Sequence, residues 1–277
     1  MPSAKQKAFD RKVKALVKKA NQLEAAEVRR TIALLSAARK EIASTVASSD
    51  WQIYHLAELK AAVERALTDF GNQYGIQLRE AQRELWETGI DLVDLPLREV
   101  GIIQALPEID TTALSILQGY GTDLVDGLST DAAKKINTEI TLGLMGQKSP
   151  VEVMGAIGRN LKSKSIFKSI AARAETITMT EAGRVLEAAS QARKAAAARV
   201  VPGLQKQWHY GHSPKSPRPA HLAAHGQVRD VDKPFDVGGE KLMYPKDPAG
   251  SAKNTIRCGC TSLPYHPRWD DIASGGA

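Results

Sequence analysis

The sequence predicts a mainly α-helical fold, in which an extended helical N-terminal region is followed by a small, loop-rich α+β module at the C-terminal end. Residues 3–48 contain no glycine or proline and consist largely of Ala, Lys, Leu, Arg and Glu, which favour helix. Apolar residues recur at helical spacing as far as about residue 199. From Pro202 onward the chain is rich in Pro, Gly, His and Asp, and its apolar stretches are short.

The basic arm, residues 1–50, is predicted to form one or two long helices. Val13, Leu16 and Ala20 begin an apolar stripe along one side of it. Because a single helix cannot bury such a stripe, we expect it to pack on another helix, a second copy of the chain or another protein. The sequence Ser48-Ser49-Asp50 predicts a break after the arm.

Residues 51–200 are predicted to form a helical domain. Gly89 is expected to end one helix, and Pro96 and Pro107 to divide residues 90–110 into short pieces. Ser129-Thr130-Asp131 predicts a helix start, and Ser149-Pro150-Val151-Glu152 has the pattern of a capping box. The predicted helices span residues 51–70, 75–88, 111–128, 132–144, 150–161 and 165–199.

The C-terminal module, residues 201–270, is predicted to contain short strands near residues 204–210, 241–244 and 255–265. A module of about 70 residues buries little apolar surface and is near the size at which a core alone is marginal. Residues 271–277 are expected to form a disordered tail.

Charge is distributed unevenly along the chain, whose net charge is +7. Residues 1–50 carry eleven basic and five acidic side chains, and residues 159–218 carry twelve and three. Basic blocks of this kind can contact nucleic-acid phosphates without reading sequence, although a solvated helix face is the simpler interpretation. The candidate nucleic-acid-binding residues are Lys12, Lys14, Lys18, Lys19, Arg193 and Lys194.

Several classes of protein are excluded by composition. The sequence contains no apolar run of 18 residues, so no membrane span is expected. The basic N-terminus lacks the apolar segment of a secretory signal, and two cysteines are too few for a disulfide scaffold. Cytoplasmic synthesis and assembly fit best.

Candidate metal ligands cluster in the C-terminal module, where both cysteines and five of the six histidines fall within residues 209–266. Thiolate and imidazole ligands suit zinc, and a closed site with four ligands would be structural. Cys258, Cys260 and His221 are the first candidates, and His225, His212 or an aspartate could be the fourth. Alternatively, because Cys-x-Cys is tighter than the usual zinc knuckle, these side chains could simply hydrogen-bond the loops.

No catalytic residues are predicted. A Cys–His nucleophile pair or a metal nuclease would need an ordered third group, and none is evident in the module. HExxH, Walker A, GxSxG and GxGxxG motifs are all absent from the sequence. We therefore expect a protein that is not an enzyme.

The module resembles the C-terminal domain of the Mu F-like minor head proteins of tailed phages, also described as the SPP1 gp7-like head morphogenesis family. The residues that match the family pattern in order and spacing are Trp208, Arg218, His221, Gly226, Phe235, Pro245, Asp247, Pro248, Cys258 and Cys260. Upstream, Arg173-Ala174 with Thr180-Glu181 is similar to a helix of the family, so the resemblance covers residues 120–265.

The resemblance departs from the family pattern at two places. His225 stands where the family commonly has aspartate, and the final motif is Arg-Cys-Gly-Cys in place of Asn-Cys-Arg-Cys. If a metal is bound, His225 could be a ligand at that position. Because His221 and both cysteines keep their places, the departures leave the thiolate–imidazole set intact.

The resemblance implies a low-copy structural protein of the virion head. Such a protein would be recruited with the portal protein and act in capsid assembly, DNA packaging or DNA ejection. It would lie in the host cytoplasm during assembly and inside the head of the finished virion. Its expected partners are the portal and capsid, double-stranded DNA bound without sequence preference, and other copies of itself.

Two other hypotheses compete with the structural role. One is a metal-dependent nuclease or toxin-like effector that carries a Mu F-like domain. The other is a sequence-specific DNA-binding regulator, although the sequence has neither a helix-turn-helix nor the spacing of a C₂H₂ zinc finger.

Overall fold

The computed structural model describes residues 4–102, 106–211 and 218–267. Its fold is mainly α, with a long helical N-terminal region and a small C-terminal module of short strands and loops, as the sequence predicts. The helices are α1 (Ala4–Ser48), α2 (Leu56–Glu99), α3 (Thr112–Leu144), α4 (Pro150–Ile157), α5 (Ile166–Ala198), α6 (Pro219–Ala224) and α7 (Ala252–Thr255), with a 3-10 turn at Ile53–His55. The strands are β1 (Gln205–His209), β2 (Val228–Asp230), β3 (Phe235–Val237), β4 (Glu240–Leu242) and β5 (Thr261–Tyr265). The predicted tail at residues 271–277 lies outside the described residues.

Contacts divide the chain into two compact units, each built from separate stretches of sequence. The first unit comprises Met1–Glu24, Ala81–Leu117 and Met179–Ala277, and the second comprises Ala25–Glu80 and Gln118–Thr178. Neither unit coincides with one of the segments 1–50, 51–200 or 201–270. None of the described helices has an apolar stretch long enough to cross a bilayer.

The second unit is a helical assembly around an aliphatic core. Leu35, Leu67, Ile140 and Phe167 are among its fully buried side chains and come from four different helices. Tyr74 donates a hydrogen bond to the Ala174 carbonyl and pairs with Thr178 at 2.8 Å. The helices of this unit thus bury one another's apolar stripes, as amphipathic helices must.

The first unit contains the C-terminal module. A three-stranded antiparallel sheet has the order β2-β1-β5, with Gln205 opposite both Asp230 and Tyr265, and β3 pairs with β4. Helix α5 supplies the centre of the unit, because residues 180–190 are all buried. Ala, Gly and Ser at many of these positions allow close approach from several sides.

Helix α2 is longer than predicted, because Gly89 and Pro96 lie inside it. The predicted end at Gly89 is therefore wrong. A Cβ at this position would collide with the Leu186 carbonyl oxygen, so the glycine permits close packing on α5. Pro96 falls in the last turn of α2 and supplies no backbone N–H to the helix there.

Helix α3 also continues where a new helix was expected. Ser129 does not cap a helix start, since its hydroxyl donates to the Val125 carbonyl within α3, and Asp131 pairs with Arg173 at 2.6 Å. The capping box at Ser149 is confirmed, with the Glu152 amide donating to the Ser149 hydroxyl and the Ser149 amide donating to the Glu152 carboxylate.

Candidate metal centre

Three predicted ligands come from two short elements of the C-terminal module. His221 lies in the middle of α6, which begins at Pro219, a residue that favours the first helical position. Cys258 and Cys260 lie in the turn between α7 and β5, which we call the Cys-Gly-Cys turn. The turn starts at Arg257, whose φ of 53° lies in the left-handed region that non-glycine residues rarely adopt.

The three side chains converge in the interior of the module. His221 Nδ1 lies 3.5 Å from the Cys258 sulfur and 3.4 Å from the Cys260 sulfur. The three candidate ligand atoms lie within 4.8 Å of one another, and all three residues are buried. Two sulfurs and one imidazole nitrogen in this arrangement could hold a metal ion.

Asn254 fixes the orientation of the imidazole. Its side-chain Nδ2 donates to the Val237 carbonyl at 3.2 Å, which leaves its Oδ1 to accept from His221 Nε2 at 3.3 Å. This network assigns the proton of a neutral imidazole to Nε2 and leaves the Nδ1 lone pair directed toward the sulfurs. Outer partners of this kind are characteristic of histidines that bind metals.

Neighbouring groups shift the pKa values of the two cysteines in opposite directions. A hydrogen bond from the Cys260 thiol, together with the charge of Lys246, lowers the pKa of Cys258 well below its usual range, although burial opposes this effect. The pKa of Cys260 is raised, because its thiol donates to Cys258 and because it is buried. Without a metal the pair therefore shares one proton, and a metal ion would displace it.

Backbone and indole N–H groups lie around the two sulfurs, and such donors favour the thiolate form that a metal requires. The Cys260 amide donates to the Cys258 sulfur at 3.4 Å, and the Gly211 amide and Trp208 indole both lower the pKa of Cys260. The buried Trp208 Nε1 has no other acceptor among the described residues. A thiolate at Cys260 would satisfy this orphaned donor, so the donor set fits a metal-bound pair of thiolates.

A small cavity adjoins the three ligand atoms. Its volume is about 10 Å³, enough for a single ion or water-sized atom. The lining residues are Tyr210, Gly211, Arg218, His221, Arg257, Cys258, Gly259 and Cys260.

His225 is not brought to this group. It is exposed, its Nδ1 accepts from the Tyr210 amide at 3.0 Å, and its ring packs against His209 with 5.2 Å between centroids. The fourth-ligand candidate His212 lies outside the described residues. Asp247 accepts from the amides of Met243 and Ala249, so the carboxylate of the Pro-x-Asp-Pro motif shapes a turn.

Two further motif residues, Trp208 and Phe235, pack around the centre. Trp208 and Phe235 are fully buried, with 5.3 Å between ring centroids, and both belong to one apolar cluster with Cys258 and Cys260. Trp208 also packs edge-on against His221. Trp208, Phe235, Cys258 and Cys260 of the ordered pattern therefore lie in one packed cluster.

The predicted nucleic-acid-binding residues differ in their exposure to solvent. On α1, Lys14, Lys18 and Lys19 are exposed and Lys12 is half-buried. Arg193 instead forms a two-bonded ion pair with Asp94 and donates to the Pro107 carbonyl, and Lys194 is fully buried. Charged side chains held in this way cannot reach a nucleic acid without unpacking the first unit.

A buried polar stripe on α5 was missed by the sequence analysis. It consists of Glu181, Arg184, Glu187, Gln191 and Lys194, which recur three or four residues apart and so share one helix face. The spacing indicates that these residues share a helix face, but a charged face is usually exposed to solvent. Here the face packs against the C-terminal module instead.

The stripe connects α5 to the module by several hydrogen bonds. Arg184 donates to the Lys246 carbonyl at 3.1 Å, and the Glu187 carboxylate accepts from the Ser262 amide at 3.0 Å. The Lys246 ammonium lies 3.4 Å from the Glu24 carboxylate of α1. Burial opposes the charge of Lys246, but Glu24, Cys258 and Glu187 together raise its pKa.

One comparison with known proteins finds a relative. The chain is 35% identical over 95 residues to a protein of Bacillus subtilis (strain 168) described as uncharacterized protein YqbB. The match covers 33% of this chain and 30% of that protein, so the chain spans less than a third of the relative's length. No family model matches the chain, and no solved structure matches it.

Proposed function

We propose that this protein is a minor head protein of a tailed phage, of the Mu F-like kind, which acts in capsid assembly with the portal protein and in DNA packaging or ejection. The observation that carries the proposal is the convergence of the family's ordered motif. Trp208, His221, Phe235, Cys258 and Cys260 are separated in sequence, yet they meet in one buried cluster. A pattern that specifies one packed core is stronger support than the same residues scattered over a surface.

The way in which the module is attached also supports a structural role. Lys194 of α5 donates to the Ser262 carbonyl at 2.6 Å, and Lys206 of β1 donates to the Gln191 side-chain oxygen of α5 at 3.4 Å. Both side chains are fully buried, so these contacts lie in the interior shared by α5 and the module. Fixed attachment of this kind suits a protein whose role is to hold partners together.

A structural zinc ion is part of the proposal. His221, Cys258 and Cys260 would hold it, and the ion would join α6 to the Cys-Gly-Cys turn. Such a cross-link compensates for the small core of a module of this size, because the free energy of metal binding adds to that of folding.

Contact with double-stranded DNA without sequence preference is assigned to α1. Lys14, Lys18 and Lys19 are exposed and Lys12 is half-buried, so these ammonium groups can approach phosphates. The portal, the capsid and further copies of the chain remain the proposed protein partners.

The composition of purified particles tests the proposal. The protein would be produced together with the portal and major capsid proteins of the same genome, and proheads would be isolated by sedimentation. We expect a few copies per prohead and co-purification with the portal. Absence from both proheads and portal would overturn the structural role. Cleavage of DNA by the pure protein with Zn²⁺, Mg²⁺ or Mn²⁺ would favour a nuclease instead.

A further inference from the structure

A groove in the first unit lies between α1 and one face of the three-stranded sheet. Its volume is about 450 Å³, which is in the range of sites that take a ligand or several side chains of a partner. Since Gln6 and Val17 mark the ends of the α1 side, that side is roughly 17 Å long, or about three helical turns. The lining residues of α1 recur three or four positions apart and are Gln6, Phe9, Asp10, Val13, Lys14 and Val17.

The opposite side of the groove is formed by the sheet. Gln207 of β1 pairs with Leu263 of β5, and His209 and Tyr265 lie two residues away from them on the same face. Leu263 and Tyr265 are half-buried, so part of their apolar surface is exposed in the groove. The sheet therefore covers the apolar stripe of α1 only in part.

The floor of the groove is apolar. Phe9 and Val13 are buried in one apolar cluster, and Val17 and Leu263 are partly buried at its edge. An amphipathic helix is stabilised by burying its whole apolar stripe, so a partner that covers the open part would add to this cluster. Such a floor is unsuited to a nucleic acid, whose outer surface carries a charge at every phosphate. The groove therefore favours a protein as its occupant.

The α1 side of the groove has a basic rim. Among the described residues of α1 as far as residue 22, the exposed charged side chains are Lys7, Asp10, Arg11, Lys14, Lys18 and Lys19. Asp10 already accepts from the Gln6 amide at 2.8 Å, and Arg11 lies 3.9 Å from Glu99. Setting that ion pair aside leaves four lysines against one aspartate. Acidic side chains on the occupant would match this rim, and basic ones would be repelled.

We propose that this groove binds an acidic amphipathic α-helix of another protein. The apolar stripe of that helix would pack on Phe9, Val13 and Leu263, and its carboxylates would lie beside the lysines of α1. A helix fits because the α1 side presents ridges at helical spacing over about three turns, against which a second helix packs. The inference depends neither on the metal centre nor on the role in the virion head.

Three fluorescently labelled peptides of about 18 residues, or five helical turns, test the inference. The first has leucines at helical spacing and glutamates elsewhere, and the second has the same leucines with lysines elsewhere. The third has the residues of the first in an order that gives no apolar stripe. Binding to the full chain is measured by fluorescence anisotropy. We expect the first peptide to bind saturably and the other two to bind at least tenfold more weakly.

A matched pair of variants locates the binding. Val17→Asp and Ala15→Asp place the same charge on α1, but Val17 lines the groove and the exposed Ala15 does not. We expect Val17→Asp to weaken binding of the first peptide by about tenfold or more, and Ala15→Asp to change it by less than about threefold. Circular dichroism and urea denaturation check that both variants fold. If Val17→Asp does not fold, Tyr265→Ser tests the groove from the sheet side.

Three results would overturn the inference. The first is an acidic amphipathic peptide that does not bind, or that binds no better than the peptide without a stripe. The second is an equal loss in Val17→Asp and Ala15→Asp, which would place the binding outside the groove. The third is a dimer of the parent protein, seen by sedimentation, that Val17→Asp abolishes and Ala15→Asp keeps, because a second copy of the chain would then occupy the groove.

Discussion

The ammonium group of Lys194 lies 2.6 Å from the carbonyl oxygen of Ser262, two residues after the Cys-Gly-Cys turn. The same ammonium also donates to the hydroxyls of Ser190 and Ser262, so all three of its protons have acceptors. Since the Ser262 amide donates to Glu187, this one residue is bonded to α5 at both its amide and its carbonyl. These hydrogen bonds fix β5, and therefore the two cysteines just before it, in position against α5.

The first prediction concerns metal content. Elemental analysis should find about one equivalent of zinc in the parent protein and less than about a tenth in the Cys258→Ser/Cys260→Ser variant, because zinc binding requires thiolates. His221→Ala should also lose zinc. His225→Ala is the matched control and should keep it, because that ring bonds the Tyr210 amide instead. Equal zinc loss from both histidine variants would place His225 in the centre.

The second prediction concerns the outer partner of His221. Asn254→Ala removes the acceptor that holds the imidazole with Nδ1 toward the sulfurs. We expect zinc affinity to fall by roughly 10- to 100-fold, measured by competition with a chromophoric chelator. Asn72→Ala, on an exposed face of α2, should leave the affinity unchanged. An unaffected affinity in Asn254→Ala would show that another group orients the ring.

The third prediction concerns pH. Burial raises the pKa of Glu187 to about 7 from 4.5, and burial lowers the pKa of Lys194 to about 7 from 10.5. Between pH 4.5 and 7 the folded state therefore holds more protons at Glu187 than the unfolded state, so its contribution to stability falls as pH rises. Above pH 7 the unfolded state holds more protons at Lys194, and stability rises again.

Urea denaturation at pH 5 and pH 7 measures this slope. Glu187→Gln should reduce the fall in stability between the two pH values, while exposed Glu84→Gln should keep the slope of the parent. All variants would be compared at the same metal loading, since thiolate–metal bonds add their own pH dependence. An unchanged slope in Glu187→Gln would mean that Glu187 is ionised at both pH values.

The fourth prediction separates exposed from buried cations. Replacing Lys14, Lys18 and Lys19 by alanine should reduce the slope of log binding constant against log salt concentration by about 0.9 for each lost phosphate contact. Arg193→Ala should leave that slope unchanged. It should instead lower the free energy of unfolding by on the order of 3 kcal/mol, because it strands the largely buried Asp94 carboxylate. Loss of DNA affinity in a stably folded Arg193→Ala protein would contradict this assignment.

Much of the fold follows from local sequence. The absence of glycine and proline from α1 and the capping box at Ser149 specify helices without reference to the rest of the chain. The grouping of His221 with both cysteines was also predictable, because imidazole and thiolate groups are the ligands that zinc prefers. His225 was harder to place, since whether a histidine enters a cluster or a turn depends on which way the chain leaves α6.

The remaining errors arose where tertiary contacts decide the role of a residue. From sequence, Lys194 was predicted to be an exposed cation that contacts nucleic acid. Its partner Ser262 lies far along the chain, so the sequence around Lys194 gives no sign of that hydrogen bond. Ser129 looked like a helix cap because its sequence neighbours suit one. In each case the neighbouring sequence favours the predicted role, but a tertiary contact that the neighbouring sequence does not show determines the observed role.

Gly89 provides the fifth prediction, because it is the position at which packing replaces a helix end. A Cβ there would collide with the Leu186 carbonyl oxygen and lie 2.8 Å from the Ala189 Cβ, and these two atoms belong to the backbone and to a short side chain of α5. Neither neighbour can rotate away, so Gly89→Ala must separate the helices. We expect it to lower the free energy of unfolding by about 1–3 kcal/mol.

Gly119→Ala is the matched control, because Gly119 is also inside a helix but a Cβ there would meet nothing within 4 Å. Alanine favours helix over glycine, so this variant should gain up to about 1 kcal/mol. Urea denaturation of the two variants gives opposite signs if Gly89 is a packing residue. A gain in both would mean that the close approach of α2 to α5 at Gly89 is absent.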